Sequence, residues 1–182
     1  MNPAEETLMF RTLCLLGWLL AMSSLPPLRA QTAPVPPPEA QQFDSWIGEW
    51  EVFGPRGNLV GHRKIEMVAG GFALLENWTA TTGNTGRSLN SYNRANGQWQ
   101  QSYVGSAGRT TEYKGGLIDS KMVLVAEQIG SNGISFLVRG TWRPNPDGTV
   151  FQQFENPTDG GKTWQDGFAG LYKRCGTAAE NS

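Results

Sequence analysis

Turn-forming residues punctuate this chain at short and even intervals, and that rhythm excludes most architectures. Pro55-Arg56-Gly57-Asn58, Ala69-Gly70-Gly71, Gly83-Asn84, Ala95-Asn96-Gly97, Ala107-Gly108, Gly115-Gly116, Asn132-Gly133, Asp147-Gly148 and Asp159-Gly160-Gly161 recur at spacings of about 8 to 17 residues, one strand plus one turn. Gly, Asn and Asp supply the positive-φ positions that tight hairpins require. The runs between them are rich in β-branched and aromatic residues: Glu49–Phe53, Val60–Val68, Phe72–Thr81, Arg87–Asn93, Trp99–Gly105, Thr110–Lys114, Met122–Gln128, Ile134–Arg143, Thr149–Asn156 and Trp164–Arg174. No long segment repeats its apolar residues at helical spacing, and only Pro38–Trp46 reads as a short helical lead-in. Ten strands joined by hairpins predict an all-β, antiparallel up-and-down barrel, because closing the sheet removes its unpaired edges. A two-sheet sandwich is the alternative.

The first thirty residues are set apart from that pattern. Arg11 precedes an apolar run from Leu13 to Met22, followed by the breaker Ser23-Ser24-Leu25-Pro26-Pro27 and the small residue Ala30. This is the layout of a secretory signal peptide over residues 1–30, with Met1 or Met9 as its start. The run is shorter than the stretch of about 20 residues that a membrane-spanning helix needs. It predicts a secreted or periplasmic protein with no stable membrane insertion once the leader is cleaved; a retained anchor is the other reading. Residues 31–42 hold the polyproline-type spacer Ala33-Pro34-Val35-Pro36-Pro37-Pro38, residues 43–175 the barrel, and residues 176–182 a flexible tail. Cys14 falls in the leader, which leaves Cys175 as the lone thiol of the processed chain, unpaired or joined to another chain.

The whole chain carries a net charge of -1, and removing residues 1–30 takes away equal numbers of acidic and basic groups. Lys and Arg cluster no further than the short pairs Arg63-Lys64 and Lys173-Arg174, so nucleic acid is not an expected partner. The single histidine, His62, sits in the polar run Val60-Gly61-His62-Arg63-Lys64. One imidazole and one thiol are too few for a zinc, copper or non-haem iron site. No catalytic residue, metal ligand or cofactor is assigned.

Trp46-Ile47-Gly48-Glu49-Trp50 stands at the first strand, and Arg174 on the last. A Gly-x-Trp answered by a terminal Arg resembles the signature of the calycin barrels, which include the lipocalins, fatty-acid-binding proteins and avidins. The resemblance implies a barrel in which Trp50 plugs one end, Gly48 lets the backbone approach it closely, and Arg174 lies over the indole face. His62 follows the first hairpin too closely to match the haem-binding members of that group. Phe43 to Trp50, Leu75-Glu76-Asn77-Trp78, Ser88 to Tyr92, and Asp159 to Trp164 followed by Gly170 to Arg174 together resemble a family of small secreted bacterial proteins assigned to the calycin-like group, with no established activity. Asp159 to Trp164 also resembles the Asp-box of sialidase propellers, a structural hairpin turn of which this chain has one copy.

Polar and aromatic residues lie together inside the predicted strands. Alternation puts Glu76 and Trp78 on one face with Leu74, and Trp99, Gln101 and Tyr103 on another. Asn90, Tyr92, Arg139, Trp142 and Gln153 complete the candidate set. Buried without partners, such polar groups would destabilise the fold by roughly 1–3 kcal/mol each. A cavity holding an unidentified small polar or amphipathic molecule accounts for them. In that reading Glu76, Asn90, Tyr92, Gln101, Tyr103, Arg139 and Gln153 orient the ligand, and Trp78 and Trp142 form its walls. Two further readings stand beside it: a carboxylate-based hydrolase or isomerase using Glu76 with Glu155, and a filled barrel that acts through its surface.

Overall fold

The computed structural model describes residues 33–130, 133–157 and 163–176. The expected leader, the tail beyond Gly176 and most of the Asp159–Trp164 motif lie outside them. The chain divides into two units, Met1–Pro34 and Val35–Ser182, and the second holds every strand of the described residues.

Two single-turn 3-10 helices, Pro38–Gln41 and Asp44–Trp46, lead into ten strands: β1 (Gly48–Phe53), β2 (Leu59–Val68), β3 (Ala73–Ala80), β4 (Thr85–Asn93), β5 (Gln98–Gly105), β6 (Thr110–Ile118), β7 (Lys121–Ile129), β8 (Ser135–Pro144), β9 (Val150–Pro157) and β10 (Trp164–Arg174). Each pairs antiparallel with its neighbours in sequence, and β1 pairs with β10 to close the ring. Trp50 lies opposite Arg174 and Val52 opposite Tyr172 at this seam. Closure leaves no free edge and excludes the two-sheet sandwich.

One expected turn is a strand interior. Gly115-Gly116 continues β6, and the chain reverses instead at Asp119-Ser120, both with positive φ. A β-carbon on Gly115 would meet the Val123 carbonyl oxygen of the adjacent strand at 2.1 Å, so the glycine serves close strand approach.

One end of the barrel is sealed by aromatics. The lead-in turns place Phe43 and Trp46 over the ends of β1, β5 and β8, where Phe43 stacks on Trp46 at 4.8 Å. Phe43 also meets the edges of Trp99 and Trp142 at 5.7 and 5.5 Å. Trp50 Nε1 donates to the Trp46 carbonyl at 2.8 Å, and Trp99 Nε1 to Gln42 Oε1 at 3.2 Å. Outside this plug, the Arg174 guanidinium lies 4.1 Å from the Trp50 ring and donates to the Ile47 carbonyl at 2.9 Å. Truncating one buried aromatic costs about 3–5 kcal/mol, against about 0.5–1 kcal/mol for an exposed cation–π contact. The plug therefore holds this end, and Arg174 trims it.

Toward the other end the interior changes from apolar to polar. Val52, Ile65, Leu74, Met122, Leu124 and Val150 pack below the plug, all buried. Beyond them the inward positions of β2 to β9 carry Arg63, Glu76, Ser88, Gln101, Thr111 and Gln152, also buried.

Candidate functional site

Strand register assembles a polar belt inside the barrel. Glu76 faces Ser88, Ser88 faces Tyr103, and Tyr103 faces Thr111 across successive strand pairs. One step nearer the plug, Asn90 faces Gln101 and Gln101 faces Tyr113. Because side chains alternate along each strand, these rows point inward together.

Hydrogen bonds join the belt into one chain. Arg63 Nη1 sits 2.8 Å from Glu76 Oε1, and Glu76 Oε2 accepts from the Ser88 hydroxyl at 2.5 Å. Asn90 Nδ2 donates to Ser88 Oγ at 2.9 Å, and Gln101 Nε2 to Asn90 Oδ1 at 2.6 Å. On its other side Arg63 Nη1 donates to Gln152 Oε1 at 3.2 Å, and the Tyr172 hydroxyl donates to the same oxygen. The Arg63 guanidinium is flanked by the Trp78 and Tyr172 rings, at 4.5 and 5.3 Å.

A pocket of about 220 Å³ lies against this belt. Glu76, Gln101, Trp142 and Gln152, nearly sealed from solvent, form its floor. Tyr103, Thr111, Tyr113, Gln128 and Phe154 form its walls, and exposed Arg109, from the β5–β6 turn, stands at its rim. It faces the end of the barrel opposite the plug. Its shape depends on a glycine: a β-carbon on Gly86 would fall 2.0 Å from the Tyr103 hydroxyl oxygen, so the phenol ring lies against bare backbone.

Burial governs the titration of the belt. It pushes the Tyr113 hydroxyl up to about 12 and raises Tyr103 and Tyr172 as well. Burial acts against the charge on Arg63, but Glu76 and the Tyr172 hydroxyl outweigh it, so the guanidinium stays protonated. Among the described residues no group of three or more His, Cys, Asp or Glu side chains is placed to hold a metal ion.

The sequence-derived candidates fall in three places. Glu76, Gln101, Tyr103 and Trp142 line the pocket. Asn90 is buried within the belt, Trp78 stacks on Arg63, and Tyr92 packs on Trp99 at the plugged end, with ring centres 6.3 Å apart. Arg139 and Gln153 lie on the outer face, since β8 turns Val138 and Trp142 inward and β9 turns Gln152 and Phe154 inward. There Arg139 forks onto Glu155 at 2.9 and 3.0 Å and lies 4.2 Å from the Trp164 ring. Glu76 and Glu155 thus occupy opposite faces of the sheet, which removes the paired-carboxylate mechanism: no substrate reaches both at once.

Arg63, Arg109, Thr111, Tyr113, Gln128, Gln152 and Phe154 complete the pocket and were not among the candidates. Arg63 carries a usable signal, because it shares its parity with Ile65 on β2, whereas neighbouring His62 and Lys64 are exposed. A larger groove, about 480 Å³, lies on the outer face among Phe53, Phe151, Leu171 and Lys173 beside the β1–β2 turn. It touches none of the buried polar chain. No protein-family model matches this chain, and no curated protein is similar to it in sequence.

Proposed function

We propose that this chain is an exported, calycin-like barrel that binds a small polar or amphipathic molecule in its interior. The observation that carries the reading is a set of buried polar atoms with no hydrogen-bond partner among the described residues. The donors Arg63 Nε, Trp142 Nε1 and Gln152 Nε2 are orphaned, as is Glu76 Oε1 apart from its ion pair with Arg63, and all belong to side chains that line the pocket. An orphaned buried group costs about 1–3 kcal/mol, and three such donors on one pocket are hard to reconcile with a role in stability alone. The volume sets the scale of the occupant. An engineered cavity of about 150 Å³ takes a benzene molecule, so about 220 Å³ accommodates a single substituted ring and not a long acyl chain or a tetrapyrrole.

Native mass spectrometry of protein purified from an exporting host tests this. The intact complex should exceed the denatured chain by a stoichiometric small-molecule mass, and the N-terminus should begin near residue 31. An identical mass in both states, with the Trp142 indole N–H resonance unmoved by a panel of one-ring ligands, would sink the binding reading. An intact leader would sink the export reading separately.

A further inference from the structure

Of the four buried lining atoms without a hydrogen-bond partner, three share one chemical sense, and the fourth, Glu76 Oε1, is held in an ion pair 2.8 Å from Arg63 Nη1. Arg63 Nε, Trp142 Nε1 and Gln152 Nε2 are all donors. The Gln152 amide cannot rotate to offer oxygen instead, because its Oε1 already accepts from both Arg63 and Tyr172. The Tyr103 and Tyr113 hydroxyls, which carry their protons at neutral pH, add two more donors on the walls. The one carboxylate of the lining, Glu76, is already engaged: one oxygen faces Arg63 and the other takes the Ser88 hydroxyl. Arg63 and Glu76 cancel in charge, which leaves Arg109 at the rim as the remaining charge of the lining. An entering cation would meet no free anion, whereas an entering anion meets donors below and a guanidinium at the entrance. The aromatic surfaces of Trp142, Phe154 and Tyr113 suit an apolar body.

Resting on the interior-ligand reading, we infer that the occupant is a compact carboxylic acid with a body of one ring or similar bulk. The floor donors hold its carboxylate, and Arg109 draws it in from the rim. The volume favours a compact acid over a long-chain one, and the excess of donors, with Glu76 already paired to Arg63, favours an acid over an amine.

Calorimetric titration of the purified chain with benzoate, benzamide and benzylamine tests this, since the three probes share a ring and differ in the charge they bear. Benzoate should bind tighter than benzamide by roughly tenfold or more, the margin of a charge-assisted over a neutral hydrogen bond, and benzylamine should bind worst. Gln128→Glu sets a new carboxylate on the pocket wall without touching the Arg63–Glu76 pair. It should weaken benzoate by roughly tenfold or more and weaken benzamide by much less. Arg109→Gln should slow benzoate association and flatten its salt dependence. Benzylamine binding as tightly as benzoate, or benzoate indifferent to Gln128→Glu, overturns the acid assignment while leaving an occupied interior intact. If none of the three binds, the mass released from native protein decides: an acid supports the assignment, and a neutral or basic compound overturns it. No binding and no released mass overturns the acid assignment and the interior-ligand reading together.

Discussion

At the scale of the residue, the Arg63–Glu76 pair is the most consequential contact inside the barrel. Both side chains are almost wholly buried, at 8 and 2 per cent exposure, and each would be an uncompensated charge without the other. Removing one partner of such a pair costs about 3–5 kcal/mol, while replacing both with apolar groups of similar volume is often close to neutral. Glu76→Leu should therefore lower unfolding free energy by about 3–5 kcal/mol in urea titration, and Arg63→Met with Glu76→Leu should recover much of that loss. A double variant as unstable as the two single losses summed would mean that the pair does not act as a unit. The sequence shows Glu76 as an inward residue because Leu74 and Trp78 frame its parity. Arg63 is concealed, because beside Lys64 it reads as part of an exposed basic pair. Gln152 and Gln153 are adjacent and identical in type, and Phe151 and Phe154 put an aromatic on each face of β9, so period-two reasoning has no purchase there. Arg139 is ambiguous for the same reason, with Leu137 and Val138 both apolar.

At the scale of the element, the closure of β1 on β10 depends on a single backbone geometry. Gly48 opens β1 at φ 140°, and a β-carbon there would lie 2.0 Å from Arg174 Nη1. Gly48→Ala should cost roughly 1–3 kcal/mol, the usual toll of a side chain in a conformation that favours glycine. A melting curve would show the loss, and Trp50 fluorescence would report the displaced guanidinium. A variant as stable as the parent would refute this account of the seam. The ten strand-like runs of the sequence correspond one for one to the ten strands, and most differ by only a residue or two at their ends. Turns that contain glycine were legible because a positive φ selects for it. The β6–β7 reversal escaped because Asp119 and Ser120 occupy positive-φ positions themselves, next to a Gly-Gly that looks like a better turn.

At the scale of the whole molecule, the buried tyrosines set an alkaline limit to stability. An unfolded tyrosine loses its proton near about pH 10, whereas Tyr113 holds its proton up to about 12, and Tyr172 is also raised. Between those limits the folded barrel binds more protons than the unfolded chain. Stability should thus be unaffected by these groups below about pH 10 and fall as pH rises beyond it. Melting temperatures across that range should bend downward, and Tyr113→Phe should soften the bend; a curve unchanged by that substitution would remove Tyr113 from the account. The same molecule shows how its interior could be resized. Tyr103 rests against Gly86 because that residue offers a hydrogen atom where any other offers carbon. A single methyl there would act as a wedge against the phenol and displace it. The size of the barrel's interior is thus written in a position that contributes no lining surface of its own.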